Sequence, residues 1–534
     1  MKLIKKIKSV IRNIKNLGLE PYLRAKIKYT KQTIKNTIAL SIKENRYRIV
    51  GLLYGEKLYL DSTKIAQLEL LVKEYSQSFS KSDFHKSSKI RKLISEAFRL
   101  YVAGEFDSSR QLISSAETLD PQNPMVFMAY SGLARWQQGH YSNEQLANRI
   151  KALELGINQH TTPYCFTSNL RILDKGWSMY IGHIALLDFY IKAKKLGFLS
   201  PETRILVTSE QFIVNRAYFD YFEDHIDIRI LSNSQYWNYE NCFKSFIEDI
   251  AVWRLRQGFS DLYNTLDLVQ EQWRQQQLPP LLQIKDEHRE KGLAILNKLS
   301  IPEDAWFVSL HVRGQGKGFD ENDPQDGRSC DIFSYIPAIK AITQAGGYVF
   351  RMGHKGMAPL PDLPRVIDYA NSPYKSDIMD VFLWSCCRFF IGTTSGPTNV
   401  PHSFGVPMLY TNVVALAYGA PGYYKSLMIP KLWRSISENR LLTFSEILQS
   451  PAGWCERRKF DSDLEMVENT SDEIEAGVIE MLDLTSSDKN LPYDFINSSH
   501  PLQIKLDAIR ESHKVIGKHP VSNFFLNRHS DLIS

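Results

Sequence analysis

The residues of this chain best placed for chemistry on an anion stand where apolar runs end. In WFVSLHVRGQGKG (306–318) a run suited to a buried strand closes on His311 and Arg313 and opens at Gly314. YVFRMGH closes on Arg351 and Gly353, VIDYA on Asp368, and RFFIGTTSG on Thr393, Thr394, Ser395 and Gly396. Arginine presents a rigid fork of donors that matches phosphate oxygens. GTTSG, read as leading into a helix over PTNVPHSFG, adds amides and hydroxyls where a helix dipole favours negative charge. Together these residues predict a phosphate or diphosphate site. The competing reading pairs Arg313 or Arg351 with Asp368 or Asp380, as ion pairs that hold the fold.

Other anion chemistries fit less well. GQGKG lacks the G-x-G-x-x-G spacing, and the loop-forming DENDPQDGRS follows where a dinucleotide fingerprint needs a helix; no G-x-x-x-x-G-K-[ST] occurs. Neither NAD nor P-loop chemistry is expected, and an epimerase needing bound NAD is disfavoured with them. There is no HExxH, no Cys/His cluster for zinc, and no acidic pair presented for a magnesium–diphosphate complex. The expectation is a site without metal or cofactor.

Strands must position these residues, and the sequence from about 165 onward alternates short β-rich runs with helical ones. WSMYIGHIALLDFYIKAKKLGF, RILVTS (204–209), NRAYFDYFEDH and DIRILS (227–232) form one block. After a region read as mixed helical through about 295, a second block holds WFVSLHV, IFSYIPAIKAITQAG, YVFRM, RVIDYA, SDIMDVFLWSC, RFFIGT, a helix at VPHSFG, and VPMLYTN. Such alternation predicts an α/β fold of parallel sheets covered on both faces, with ligands at the carboxyl ends of the strands. Two blocks suggest two Rossmann-like halves facing one cleft, an N-terminal one over 161–290 and a C-terminal one over 291–455. Residues 456–534 form a C-terminal helix and tail, with EIEAGVIEML read as a helix packing back on the first half.

The 534 residues exceed what one core usually supports, and 43% hydrophobic with 23% charged residues marks a globular rather than disordered chain. No run approaches the roughly 18 apolar residues of a membrane span. Residues 1–50 carry 14 Lys/Arg against Glu20 and Glu44, a net +12 that leaves −6 for the rest. Within 1–20, Leu3, Ile7, Val10, Ile14 and Leu17 recur at helical spacing among lysines, which predicts a basic amphipathic helix ending near Gly18. Such a helix suits an anionic membrane surface; nucleic acid is not expected, because the apolar stripe has no part in phosphate binding. Over 51–160 the chain reads helical. Gly104-Glu105-Phe106 returns as Gly139-His140-Tyr141, 35 positions on, which predicts a TPR-like segment, a spacer or a protein-binding surface. Six scattered cysteines (Cys165, Cys242, Cys330, Cys386, Cys387, Cys455) and no signal-peptide pattern predict free thiols in a reducing cytoplasm.

The motifs SLHVRGQG, RSCDIFSYIPAI, GGYVFRMGHKGMAPLPDLPRVIDYANSPYKSDIMDVFLWSCCRFFIGTTSG, VPHSFGVPMLYTN and IPKLW, in that order, resemble a family of bacterial glycosyltransferases found among polysaccharide-synthesis proteins. The resemblance covers roughly 165–482. More distantly, the H-x-R at a strand end and FFIGTTSG look like fucosyltransferase-type members of the GT-B group, which use GDP-sugars without metal. The resemblance implies a GT-B-like pair of Rossmann-type domains and a nucleotide-sugar donor, GDP-linked sugars among them, used as substrate with no cofactor. It makes Arg313 the ligand of the donor diphosphate and has His311 orient it or touch the sugar. Thr393, Thr394, Ser395 and Gly396 meet phosphates or nucleotide, and Asp380 fixes the helix of that segment. Gly314 stands where fucosyltransferases commonly carry a second basic residue, which argues against GDP-fucose itself.

Transfer from a nucleoside diphosphate needs a stabilised leaving group and usually a base for the acceptor hydroxyl. His183 is the first candidate: IGH places it beside Gly182 at the start of a long apolar helix, with Asp188 one and a half turns on. Asp331, Asp174 and His354 are lesser candidates. The leading expectation is a cytoplasmic glycosyltransferase, peripheral on the inner face of the plasma membrane, acting on a lipid-linked or surface-polysaccharide acceptor. A protein glycosyltransferase holding its acceptor on the TPR-like segment, and a non-catalytic assembly scaffold, are the alternatives.

Overall fold

The computed structural model describes residues 81–533 apart from 103, 139–141, 160–169, 234–235, 237–247, 315–325, 418–425, 455–460, 487–499, 514 and 516–518. The basic amphipathic segment at 1–50 and the Gly139–Tyr141 turn lie outside the described residues. Four helices come first, Lys81–Val102, Phe106–Leu119, Pro124–Gln138 and Asn143–Gln159. Between the first two the chain reverses at Gly104, whose φ of +85° is open to glycine and strained for other residues. Ile90, Ala97, Ile113, Ala116, Val126 and Leu133 form the core of these hairpins. The last helix of the four is tied to the hairpin further along the chain: Leu146 packs on Ala251 and Val252, and Arg149 pairs with Asp249 at 2.6 Å.

Next comes a parallel sheet in the order β1 (Leu170–Leu173), β2 (Thr203–Ser209), β3 (Asp227–Leu231). The helix Ile181–Lys195 links β1 to β2, and from Ile184 to Ala193 every residue is buried. It begins four residues later than the sequence suggests, because Asp174 first caps a separate 3-10 turn, Lys175–Trp177. The region read as mixed helical also contains an antiparallel hairpin, β4 (Val252–Leu255) and β5 (Gly258–Asp261), before the helices Leu262–Gln275 and Asp286–Lys298. Its arginines and short length hide it; Gly258 at φ +133° makes the turn.

A second sheet has six strands in the order β11-β10-β9-β6-β7-β8, all parallel: β6 Phe307–His311, β7 Tyr348–Arg351, β8 Val366–Ile367, β9 Phe390–Gly392, β10 Met408–Val413, β11 Leu427–Pro430. β6 and β10 are buried at every position, as strands covered on both faces must be. The chain runs outward from β6 through β7 to β8, then returns to lay β9 on the other side of β6. The β6/β9 boundary is therefore a topological switch point, where α/β sheets open a crevice for ligands. The predicted strand at VIDYA is only two residues long before a 3-10 turn, Tyr369–Asn371. The predicted helix at VPHSFG is also a 3-10 turn, Pro401–Phe404, ended by Gly405 at φ +75°. Strands β12 (Leu432–Ser435), β13 (Arg440–Leu441) and β14 (Leu464–Val467) make a small antiparallel sheet.

The helix Ser471–Leu484 lies against the helix Ile336–Gln344 and strands β10 and β11, so it covers the second sheet rather than the first half. Gly477 allows that approach, with Ile429 and Leu409 filling the space a side chain would need. Residues 80–233 and 247–534 form one compact unit, and one hydrophobic core runs through both sheets.

Candidate active site

The switch point is built from β6 and β9. His311 pairs in register with Gly392, and the next amide, Thr393 N–H, donates to the His311 carbonyl at 3.2 Å. The loop after β9 is then fixed by its own hydroxyls. Thr393 Oγ1 accepts from the Arg313 amide at 3.0 Å, Thr394 Oγ1 from the Val414 amide at 3.3 Å, and Thr398 Oγ1 donates to the Thr393 carbonyl at 2.7 Å. Ser395 Oγ lies 3.0 Å from His311 Nδ1 and 2.9 Å from Thr398 Oγ1. The segment after Ser395 is a 3-10 turn, Gly396–Asn399, not the α-helix start that the sequence suggests, so a helix macrodipole supplies little here.

Positive charge surrounds the ring of His311. Burial, followed by the charges of Arg351, Arg313, His354 and Lys375, holds the imidazole pKa down at about 3, so the ring is neutral at pH 7. Arg313 is half-buried and Gly314 exposed beside Met357. A neutral ring in a positive field, with its Nδ1 tied to Ser395, suits an anion better than a cation.

On the other flank of β6 the predicted site residues partner one another. Arg351 is 1% exposed; its Nη1 donates to Asp368 Oδ1 at 2.9 Å and its Nη2 to the Ala358 carbonyl at 2.9 Å. Asn371 Nδ2 donates to the other Asp368 oxygen at 2.9 Å. Of the two readings of Arg351, phosphate ligand or fold-holding ion pair, this geometry matches the second. Gly353, at φ +157°, turns the chain over Met357 and Ala370. Asp380 accepts from Tyr369 Oη at 2.9 Å and from Lys375 Nζ at 3.0 Å, which ties the first turn of the helix Asp377–Cys386 to the strap before it. Burial lifts its carboxyl pKa, with Lys375 and Tyr369 opposing.

The first half brings His183 to this place. Asp174 Oδ1 accepts from the Gly176 amide at 2.9 Å, and the Gly176 carbonyl lies 2.7 Å from His183 Nδ1. A carbonyl only accepts, so Nδ1 carries the proton and Nε2 of the neutral ring carries a lone pair. Burial lowers the His183 pKa below the usual histidine value, with the Gly176 hydrogen bond opposing, which keeps the ring neutral at pH 7. One residue away, the two halves touch backbone to backbone. A Cβ on Gly182 would stand 2.8 Å from Gly396 Cα, and one on Gly396 would stand 2.7 Å from Gly182 N. This contact places His183 beside the loop Thr393–Gly396.

Asp188 is engaged elsewhere. Its carboxylate is fully buried, 2.7 Å from Lys192 Nζ and 3.4 Å from His402 Nε2 of the second half. Burial alone would raise its pKa, but Lys192 and His402 hold it below the ordinary carboxylate value. Among the lesser base candidates, Asp331 caps the turn Ile332–Tyr335 through the Phe333 amide at 3.0 Å, and His354 is exposed. No group of three or more His, Cys, Asp or Glu among the described residues is arranged to hold a metal ion. Sequence reasoning missed the Ser395–His311 link, the Gly182–Gly396 contact and the Asp188–Lys192–His402 cluster. Only the i, i+4 spacing of Asp188 and Lys192 within an apolar helix gave a signal.

No protein-family model matches the chain, and no curated protein matches it in sequence. Solved structures with some likeness include a glycosyl transferase family 9 protein from Veillonella parvula DSM 2008 (11% identity, 49% of this chain and 85% of that one, TM-score 0.33). Others are E. coli ADP-heptose LPS heptosyltransferase II (11%, 49% and 90%, 0.32) and E. coli heptosyltransferase WaaC with ADP (9%, 49% and 90%, 0.26). At such scores the likeness says nothing about function, and the reading rests on the site itself: two parallel α/β sheets whose strand-end segments touch at Gly182 and Gly396.

Proposed function

We propose that this chain is a glycosyltransferase of GT-B type that moves a sugar from a nucleoside-diphosphate donor to a hydroxyl of a lipid-linked or surface-polysaccharide acceptor. The observation that carries the reading is the backbone contact of Gly182 with Gly396, which sets His183 of one half next to the loop that bonds His311 and the Arg313 amide of the other. In the reaction, His183 Nε2 takes the proton of the acceptor hydroxyl. That oxygen bonds to the anomeric carbon as the bond from this carbon to the diphosphate oxygen breaks, and the electron pair leaves with the diphosphate. Arg313 stabilises the charge that develops there. Arg351, Asp368 and Asp380 serve by fixing the β7–β8 flank. The base and sugar of the donor are left open, with GDP-, ADP- and UDP-sugars all to be tried.

No described helix is long and apolar enough to cross a membrane. The basic stripe of residues 1–20 supports a peripheral site on an anionic membrane surface, where a lipid-linked acceptor would be met. Release of nucleoside diphosphate from a panel of nucleotide sugars, with wild-type protein and Arg313→Ala, tests the reading. Turnover lost in the variant supports it. No turnover by either, with no nucleotide binding by calorimetry, leaves a non-catalytic scaffold.

A further inference from the structure

The first half exposes an apolar shelf beside His183 that the proposed reaction has not used. Tyr180 is 60% exposed and sets its ring edge against His183, with ring centres 5.0 Å apart and planes at 72°. Val214 is 51% exposed, and its amide donates to the Ser178 carbonyl at 3.1 Å, which holds it against the turn that leads to Tyr180. Phe212 is half-buried next to it, under Lys175 Nζ at 5.5 Å from the ring centre. These residues follow the carboxyl ends of β1 and β2, the ligand end of a parallel sheet.

The shelf is held on both sides. Ser178 Oγ and Thr208 Oγ1 are 2.8 Å apart beneath it. Asn215 caps the helical turn Arg216–Phe219 by accepting from the Tyr218 amide at 2.9 Å, and the Arg216 amide donates to Asp377 of the second half at 2.7 Å. A large aromatic that is 60% exposed, beside an imidazole lone pair, contributes little to the core. It suits a ligand with an apolar face and hydroxyls at its edge.

We infer that Tyr180 and Val214 form an acceptor subsite, on which the C–H face of a pyranose ring stacks with one hydroxyl turned to His183 Nε2. This rests on the transferase reading. It names the acceptor as a sugar ring rather than a peptide side chain, and it makes Tyr180 a specificity residue with no part in the proton transfer.

The test uses the full chain as wild type, Tyr180→Phe and Tyr180→Ala, on an array of pyranose-containing glycans with a set of Ser/Thr peptides alongside. A parallel thermal-shift series with GDP, ADP, UDP, CDP and dTDP reports the donor side. Because Tyr180 is exposed, all three proteins should melt alike. The expected result is glycan binding by wild type and Tyr180→Phe, about tenfold weaker binding by Tyr180→Ala, and equal stabilisation of all three by the same nucleoside diphosphate. Equal glycan binding by Tyr180→Ala, no glycan binding by wild type, or binding to peptides alone would overturn the inference. Tyr180-dependent glycan binding with no stabilisation by any nucleoside diphosphate would instead overturn the transferase reading and leave the shelf standing as a carbohydrate site.

Discussion

The two flanks of β6 end in similar residues and do different things. Towards β7 and β8, Arg351 and Asp368 meet at 2.9 Å and consume each other's charge. Towards β9, His311, Arg313 and the Thr393–Gly396 loop face the first half across two glycines that touch. The β7–β8 flank is continuous in chain order, so its polar ends are near neighbours and pair. The β6–β9 boundary is where the order reverses, and its ends stand at the place where such sheets open a crevice for ligands. A basic residue at a strand end is thus a weak indicator of an anion site until the strand order is known.

The sharpest way to break this comparison is to remove the proposed base on the open flank. His183→Ala should lower transfer by roughly 10²–10⁴-fold while leaving nucleoside-diphosphate affinity unchanged, as steady-state rates and calorimetry would show. An unaffected rate would place the base elsewhere. On the closed flank the expected loss is in stability. Arg351→Ala leaves Asp368 without its guanidinium partner and should cost roughly 2–3 kcal/mol by urea denaturation, with activity per folded molecule retained.

Between the flanks, Gly396→Ala drives a methyl group into the Gly182 backbone. It should destabilise by about 1–3 kcal/mol and reduce transfer more than donor binding, because it separates His183 from the loop. The dependence on pH comes from His311. His311 titrates near 3 in the folded chain against about 6.5 when unfolded, so below 6.5 the unfolded state takes up the proton first. Stability should therefore be full above pH 6.5 and fall by up to about 1.4 kcal/mol per pH unit on acidification towards 3. A His311→Asn variant should flatten that slope in urea midpoints measured against pH.

Much of the fold could be read from residue patterns. β2, β3, β6, β7, β9 and β10 are runs of apolar and β-branched residues with turn signals at their ends, and the parallel alternation follows from them. β1, the β4–β5 hairpin and the shortness of β8 were not legible, because VWRLRQGFSD and RVIDYA mix charge into runs too short to show a period. VPHSFG reads as a helix, yet Pro401 and Gly405 confine it to one 3-10 turn. The site was legible as a set of residue types and not as a set of partners. The residue types offer Arg351 a pairing with Asp368 or with Asp380 without choosing between them, and nothing local to His183 tells that Gly182 will rest on Gly396, 214 positions away. Those pairings exist only once the strand order is fixed.

The most direct test of the central claim is calorimetric titration of nucleoside diphosphates into wild type, Arg313→Ala and Arg351→Met. If the anion site lies at the β6–β9 switch point, Arg313→Ala weakens binding at least about tenfold, while Arg351→Met melts earlier but binds as wild type does. The reverse pattern, with affinity lost in Arg351→Met and kept in Arg313→Ala, would contradict it.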